Sequence, residues 1–151
     1  MNEKGINVFL KALKMLSSDG VSFEANIGGH IDEEKADQLK EKINNIKNTT
    51  YHGIVKGPQK QKIFQEANIF VLPTFYKMEG LPISIIEAMA TGNVIITTTH
   101  AAIPDLINQE ENGFYVEKKS ATQIAKKIKQ LAKDPEKMKK ISINNLSLIH
   151  I

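Results

Sequence analysis

The sequence predicts an α/β fold built on a parallel sheet with helices on both faces. Three observations carry that prediction. Short apolar runs alternate with helical stretches along the whole chain, the pattern of a helix-covered parallel sheet. Two of those runs, Ile69-Phe70-Val71-Leu72 and Val94-Ile95-Ile96-Thr97, bracket a loop and a helix, giving a strand-loop-helix-strand unit. The chain has 151 residues, 41% of them apolar, with no internal repeat or low-complexity tract. That is the length of one domain, and a domain of this size buries roughly 70% of its unfolded surface.

The elements follow in order. Ile6, Phe9, Leu10, Leu13 and Leu16 recur at helical spacing, so a helix runs from about Gly5 to Ser17, and Asp19-Gly20 ends it. Val21 to Ile27 reads as a strand leading into Gly28-Gly29. Ala36, Leu39, Ile43 and Ile46 mark a second helix, and Tyr51 to Val55 a short strand. Pro58 to Ala67 is helical, with Pro58 in the first turn, where a missing N–H is tolerated. Strand 69–72, helix 83–91 and strand 94–98 come next. A short helix near Pro104 to Asn108 precedes a strand at Phe114 to Val116. Ile124, Ile128 and Leu131 share one face of a helix over 120–133, and Asp134-Pro135 opens a last helix.

The chemistry concentrates in Glu79-Gly80-Leu81-Pro82-Ile83-Ser84-Ile85-Ile86-Glu87. One carboxylate stands in a glycine-proline loop and a second lies inside the following helix. The loop falls at the carboxyl end of strand 69–72, where open α/β sheets bind ligands. Amides of Leu81, Ile83 and Ser84, with the helix N-terminus, suit a phosphate. Pro82 has no amide and pre-sets the helix entry. Gly80 permits close backbone approach. Glu87 sits about a turn inside the helix, and its side chain leans back toward the loop. Hydroxyl groups donating to it would form charge-assisted bonds, about twice as strong as neutral ones. The plainer reading of Glu87 is a favourable charge near a helix N-terminus, about 0.3–1 kcal/mol. A phosphate site beside hydroxyl acceptors suggests a nucleotide-sugar.

On these residues the chain resembles retaining glycosyltransferases of the GT-B fold, GT4 type. Glu79 and Glu87 match that family's E-x7-E motif, and Leu72-Pro73-Thr74, Glu87-Ala88-Met89-Ala90 and Asn112-Gly113-Phe114-Tyr115-Val116 match its surroundings. The resemblance runs from about Glu3 to about Ile141. It implies a Rossmann-like, carboxyl-terminal, donor-binding domain. It also implies that Glu79 is catalytic, contacting the donor hexose and stabilising the reacting centre, and that Glu87 holds the donor ribose. Lys4-Gly5 is similar to the family's Lys-Gly pair, whose lysine neutralises the donor diphosphate. Gly28 and Gly29 are expected near the base or diphosphate, with a plain tight turn as an equal alternative. His100-Ala101-Ala102-Ile103-Pro104-Asp105 departs from the family, which carries glycines and a glutamate there. The family's domain opens on a strand with a Gly-Arg pair, so that first strand is expected to be missing here. The donor-binding domain is read as 1–145. Residues 146–151 are read as a non-native tail, because Leu146-Ser147-Leu148-Ile149-His150-Ile151 can be encoded by a sequence resembling a transposon-end adapter.

The remaining features narrow the function. With no cysteine, disulfides and thiolate metal sites are excluded. No apolar run approaches the roughly 20 residues of a membrane span, and the start of the chain is polar, unlike a signal peptide. A net charge of +3 does not argue for nucleic acid. Lysines crowd the last third, from Lys118 to Lys140. A solvated helix face is the first reading, and peripheral contact with anionic lipid at the inner face of the membrane the second. The four histidines have no metal-ligand spacing and there is no Asp-x-Asp pair, so no metal or other cofactor is expected. The resemblance implies a cytoplasmic enzyme that moves a sugar from a nucleotide-diphosphate sugar to a glycan or lipid-linked acceptor. The acceptor would bind mainly on an amino-terminal domain outside this chain. Polysaccharide or lipopolysaccharide assembly is the expected setting. The rivals are another GT-B activity, a non-catalytic nucleotide-binding α/β module and an inactive fragment.

Overall fold

The computed structural model describes residues 2–149. After a 3-10 turn at Asn2–Lys4 the elements are α1 (Ile6–Ser18), β1 (Ala25–Ile27), α2 (Glu33–Asn44), β2 (Thr49–Tyr51), α3 (Gly57–Glu66), β3 (Ile69–Leu72), α4 (Ile83–Ala90), β4 (Val94–Thr97), a 3-10 turn at Ile103–Asp105, β5 (Gly113–Tyr115), α5 (Ala121–Ala132) and α6 (Pro135–Ile149). Among the described residues every strand pairing is parallel. Of the expected 146–151 tail, the part up to Ile149 continues α6, while His150 and Ile151 lie outside the described residues.

β4 explains the layering. All four of its residues are buried. Val94 and Ile96 point into one apolar cluster with Leu10, Leu13 and Ile124, while Ile95 points into another with Ile85, Ala88 and Met89. Alternate residues of a strand face opposite sides, so helices cover both faces, α1 and α5 on one and α4 on the other. Each such buried Val, Leu, Ile or Met side chain contributes about 1.5–3 kcal/mol.

Three expectations change. The strands form two hydrogen-bonded sheets, β1-β2 and β3-β4-β5, where one was expected. Among the described residues β1 pairs only with β2, and β3 only with β4. Ala25 and Ile27 nevertheless share a core cluster with Val94 and Ile96, so the two sheets are packed by the same helices. The strand expected over Val21–Ile27 shrinks to its last three residues. The Val21 amide donates to Leu16 O (3.0 Å), so the start of that segment closes α1. The strand expected over Tyr51–Val55 moves back to Thr49–Tyr51, because Gly53 turns the chain at φ +69° and its carbonyl accepts from the Gly29 amide.

One contact places the start of the chain. Gly5 precedes α1 at φ +90°, and a Cβ there would fall 2.5 Å from Pro73 O and 2.6 Å from Pro73 Cγ. Beside it, the Phe75 amide donates to Glu3 O (2.8 Å). The entry to α1 is therefore laid directly on the chain leaving β3. In Gly5→Ala, a left-handed non-glycine residue costs about 1–2 kcal/mol, before the clash with Pro73 is added. The expected outcome is a lower urea midpoint, with the unfolding free energy reduced by at least that amount.

Tyr115 at the end of β5 donates to Ile107 O (2.5 Å). Burial, and then the negative charge of Asp105, push its phenol above the ordinary value. The native state thus keeps a proton that the unfolded chain loses above about pH 10. This contribution is intact below that pH and is lost as pH rises through the folded value. Tyr115→Phe should show a flatter decline of unfolding midpoint on the alkaline side than the native chain.

Candidate active site

The site grows from the segment between β3 and α4. Two threonines from the β4 side fasten it: Thr97 Oγ1 donates to Leu72 O (2.8 Å), and Thr98 Oγ1 donates to Thr74 O (2.6 Å). His100 Nε2 lies 2.7 Å from Tyr76 O; a carbonyl only accepts, so that nitrogen carries the hydrogen. Thr74 Oγ1 accepts from the Tyr76 amide (3.2 Å) and donates to Glu79 Oε2 (3.0 Å).

Glu79 is thereby held rigidly. Lys4 Nζ lies 2.6 Å from each of its carboxylate oxygens. The carboxylate side chain is 7% exposed and the lysine 41%. Lys4 also stands over the Tyr76 ring, 5.1 Å from its centroid. The sequence-predicted pair of Lys4 and Glu79 is thus brought together, although each was expected to meet the ligand separately.

The loop then opens. A Cβ on Gly80 would meet nothing within 4 Å. α4 starts after Pro82 with no side-chain cap, so the amides of its first turn, beginning with Ile83 and Ser84, are not met by a capping side chain. Met78, Leu81 and Ile83 are exposed apolar residues along this stretch. Uncapped amides at a helix start, beside open space over a glycine, are what a phosphate needs.

Glu87 stands further along α4. Lys60, on α3, approaches its Oε2 to 2.6 Å. Oε2 is buried, and the approach lies outside hydrogen-bonding angles, so the contact is a close ion pair without an aligned hydrogen bond. Lys60 was not anticipated from sequence. It sits on a different helix from Glu87, and nothing local in Pro58–Ala67 marks it. Thr74, Thr98 and His100 were missed for the same reason: each acts through a long-range contact.

Gly28 and Gly29 follow β1. A Cβ on Gly28 would be 2.9 Å from Val55 Cγ2. The Gly29 amide donates to Gly53 O (2.7 Å), and Gly29 O accepts from the Tyr51 hydroxyl (2.7 Å). These glycines fit β1 against the turn after β2.

The lysines of the last third are partly engaged. Lys129 pairs with Asp19, Lys127 and Lys137 lie over the Phe114 ring, and Lys119 lies over Phe75. An open groove of about 730 Å³ between α1 and the start of α5 is lined by Lys11, Lys14, Lys118 and Lys119 among others. None of the predicted site residues lines it.

The chain matches the model of the family "Glycosyl transferases group 1" over residues 1–147, and it belongs to that family. Its fold is that of a GT-B glycosyltransferase carboxyl-terminal domain. The carboxyl-terminal domain of the group 1 glycosyl transferase LpcC from Francisella tularensis superposes with a TM-score of 0.79 at 26% identity, covering 99% of this chain and 80% of that one. The Anabaena HepE structure, in complex with UDP and glucose, superposes at 0.83 with 17% identity, covering 99% of this chain and 40% of HepE. The amylovoran biosynthesis glycosyltransferase AmsK of Erwinia amylovora is 32% identical over 133 residues, 82% of this chain and 31% of AmsK. The chain spans about a third of the length of the curated relatives it matches.

The Lys4–Glu79 pair makes an asymmetric prediction. Lys4→Met leaves a buried carboxylate with only the Thr74 hydroxyl, whereas Glu79→Gln leaves a half-exposed ammonium that water can solvate. Lys4→Met should therefore cost the larger share of stability, about 1–3 kcal/mol. Urea unfolding of the two variants checks the order.

Proposed function

We propose that this chain is the donor-binding half of a retaining glycosyltransferase. The whole enzyme transfers a sugar from a nucleotide-diphosphate sugar to a growing glycan or a lipid-linked acceptor during polysaccharide assembly. One observation carries the reading: Lys4, the buried Glu79 and the uncapped start of α4 converge on one loop at the carboxyl end of β3. Family membership and the UDP and glucose held by HepE support it.

In this mechanism Lys4 and Glu79 pair with each other before donor binds. A donor diphosphate draws the half-exposed ammonium to itself, and the freed carboxylate accepts a hydroxyl of the donor sugar. The α4 amides face the diphosphate, and Glu87 accepts from the ribose. The bond from the anomeric carbon to the diphosphate oxygen breaks, and its electron pair leaves with the nucleotide. The acceptor oxygen joins the same face of the sugar and its proton leaves with the diphosphate. Lys4 and the helix-start amides stabilise the negative charge that develops there, and in many enzymes such electrostatic stabilisation contributes most of the rate. No metal takes part. The acceptor binds mainly on an amino-terminal domain, and the enzyme works in the cytoplasm against the inner face of the membrane. Alone, this half binds donor weakly and turns over little or none.

An amide-shift titration with UDP, GDP and ADP tests the reading. Shifts should cluster over residues 79–88. Glu87→Ala should weaken binding roughly tenfold, the loss of one bond to a charged acceptor. A folded chain that shows no shift with any of the three would overturn the donor-site reading, leaving a non-binding fragment.

A further inference from the structure

Lys60 reaches from α3 to the second carboxylate of the motif, and the E-x7-E pattern assigns it no role. We propose that Lys60 is a positioning residue that, through Glu87, gives the site a preference for a ribonucleoside diphosphate. It holds one oxygen of Glu87 so that the other meets the ribose hydroxyls. The inference rests on the donor-site reading and deepens it.

The geometry separates this pair from an ordinary surface one. On the same helix, Lys62 and Glu66 lie 3.7 Å apart with both side chains well exposed, a pair of the kind worth little. Lys60 leaves its own helix, closes to 2.6 Å and keeps only 32% of its side chain exposed. Its ammonium stands 5.9 Å from the Phe64 ring centroid, one helical turn on. The lysine is therefore held between an aromatic face and a carboxylate.

The two oxygens of Glu87 are not equivalent. Oε2 is buried and turned to Lys60, while the side chain as a whole is 37% exposed, so Oε1 carries the open side. A carboxylate fixed at one oxygen presents the other in one orientation, at a smaller entropic cost for binding. The pair also solves a charge problem. A diphosphate arriving at the α4 start is an anion, and a bare Glu87 on that helix would repel it. Lys60 cancels that repulsion while leaving Oε1 able to accept.

The test uses the full chain with UDP, GDP and ADP and their 2′,3′-dideoxy counterparts, followed by calorimetry. The native chain should prefer the ribose form roughly tenfold or more, the worth of hydroxyls donating to a charged acceptor. Lys60→Met and Lys60→Gln should bind the ribose form more weakly and lose most of that preference. Lys60→Arg should restore it. A purely structural role for Lys60 would lower the melting temperature without changing the ratio. If Glu87→Ala abolishes the preference while both neutral Lys60 variants keep it, the inference falls and the donor site stands. If the native chain binds none of the diphosphates, the donor site and the inference fall together.

Discussion

The entry to α1 rests on the backbone at Pro73, and only a glycine permits it. Gly5 supplies both requirements at once, a left-handed φ and the absence of a Cβ where Pro73 O lies 2.5 Å away. From that contact the rest of the site follows. The Glu3 carbonyl takes the Phe75 amide, Lys4 is delivered to Glu79, and the loop before α4 gains a partner far away in sequence. A side chain at Gly5 would push the entry to α1 away from the loop and separate the ammonium from its carboxylate.

The second constraint is charge. Both motif carboxylates are met by lysines, each at 2.6 Å, and each lysine comes from another element. The pairs differ in burial. Glu79 is nearly enclosed and its lysine is the more exposed partner; Glu87 and Lys60 are similarly half-covered. Breaking the first pair with nothing in its place therefore leaves the fold an uncompensated buried charge, while the second pair, with both side chains about a third exposed, is less costly to break.

Much of this was legible in the sequence where the signal is local. The helices from α1 to α6 follow from apolar spacing and from prolines and glycines at their ends. Glu79 and Glu87 lie in one continuous segment, so loop and helix could be read together. Lys4 was legible through its neighbour Gly5. What stayed hidden depends on distant partners. Strand limits at β1 and β2 are set by Leu16 O and by the turn at Gly53, which compete with strand-forming residues. The division of the sheet depends on which strands find hydrogen-bonding neighbours, which apolar runs do not report. Lys60 resembles any lysine on a solvated helix until α3 and α4 are packed together.

The composition of the site's cations has one more consequence. All 20 basic residues of the chain are lysines, with no arginine. Every positive charge at the two pairs is thus a primary amine on a partly exposed side chain. Amines can be acylated and arginine guanidiniums resist it. A single kind of modification, enzymatic or metabolic, would therefore neutralise both counter-ions together and leave both carboxylates without their cations.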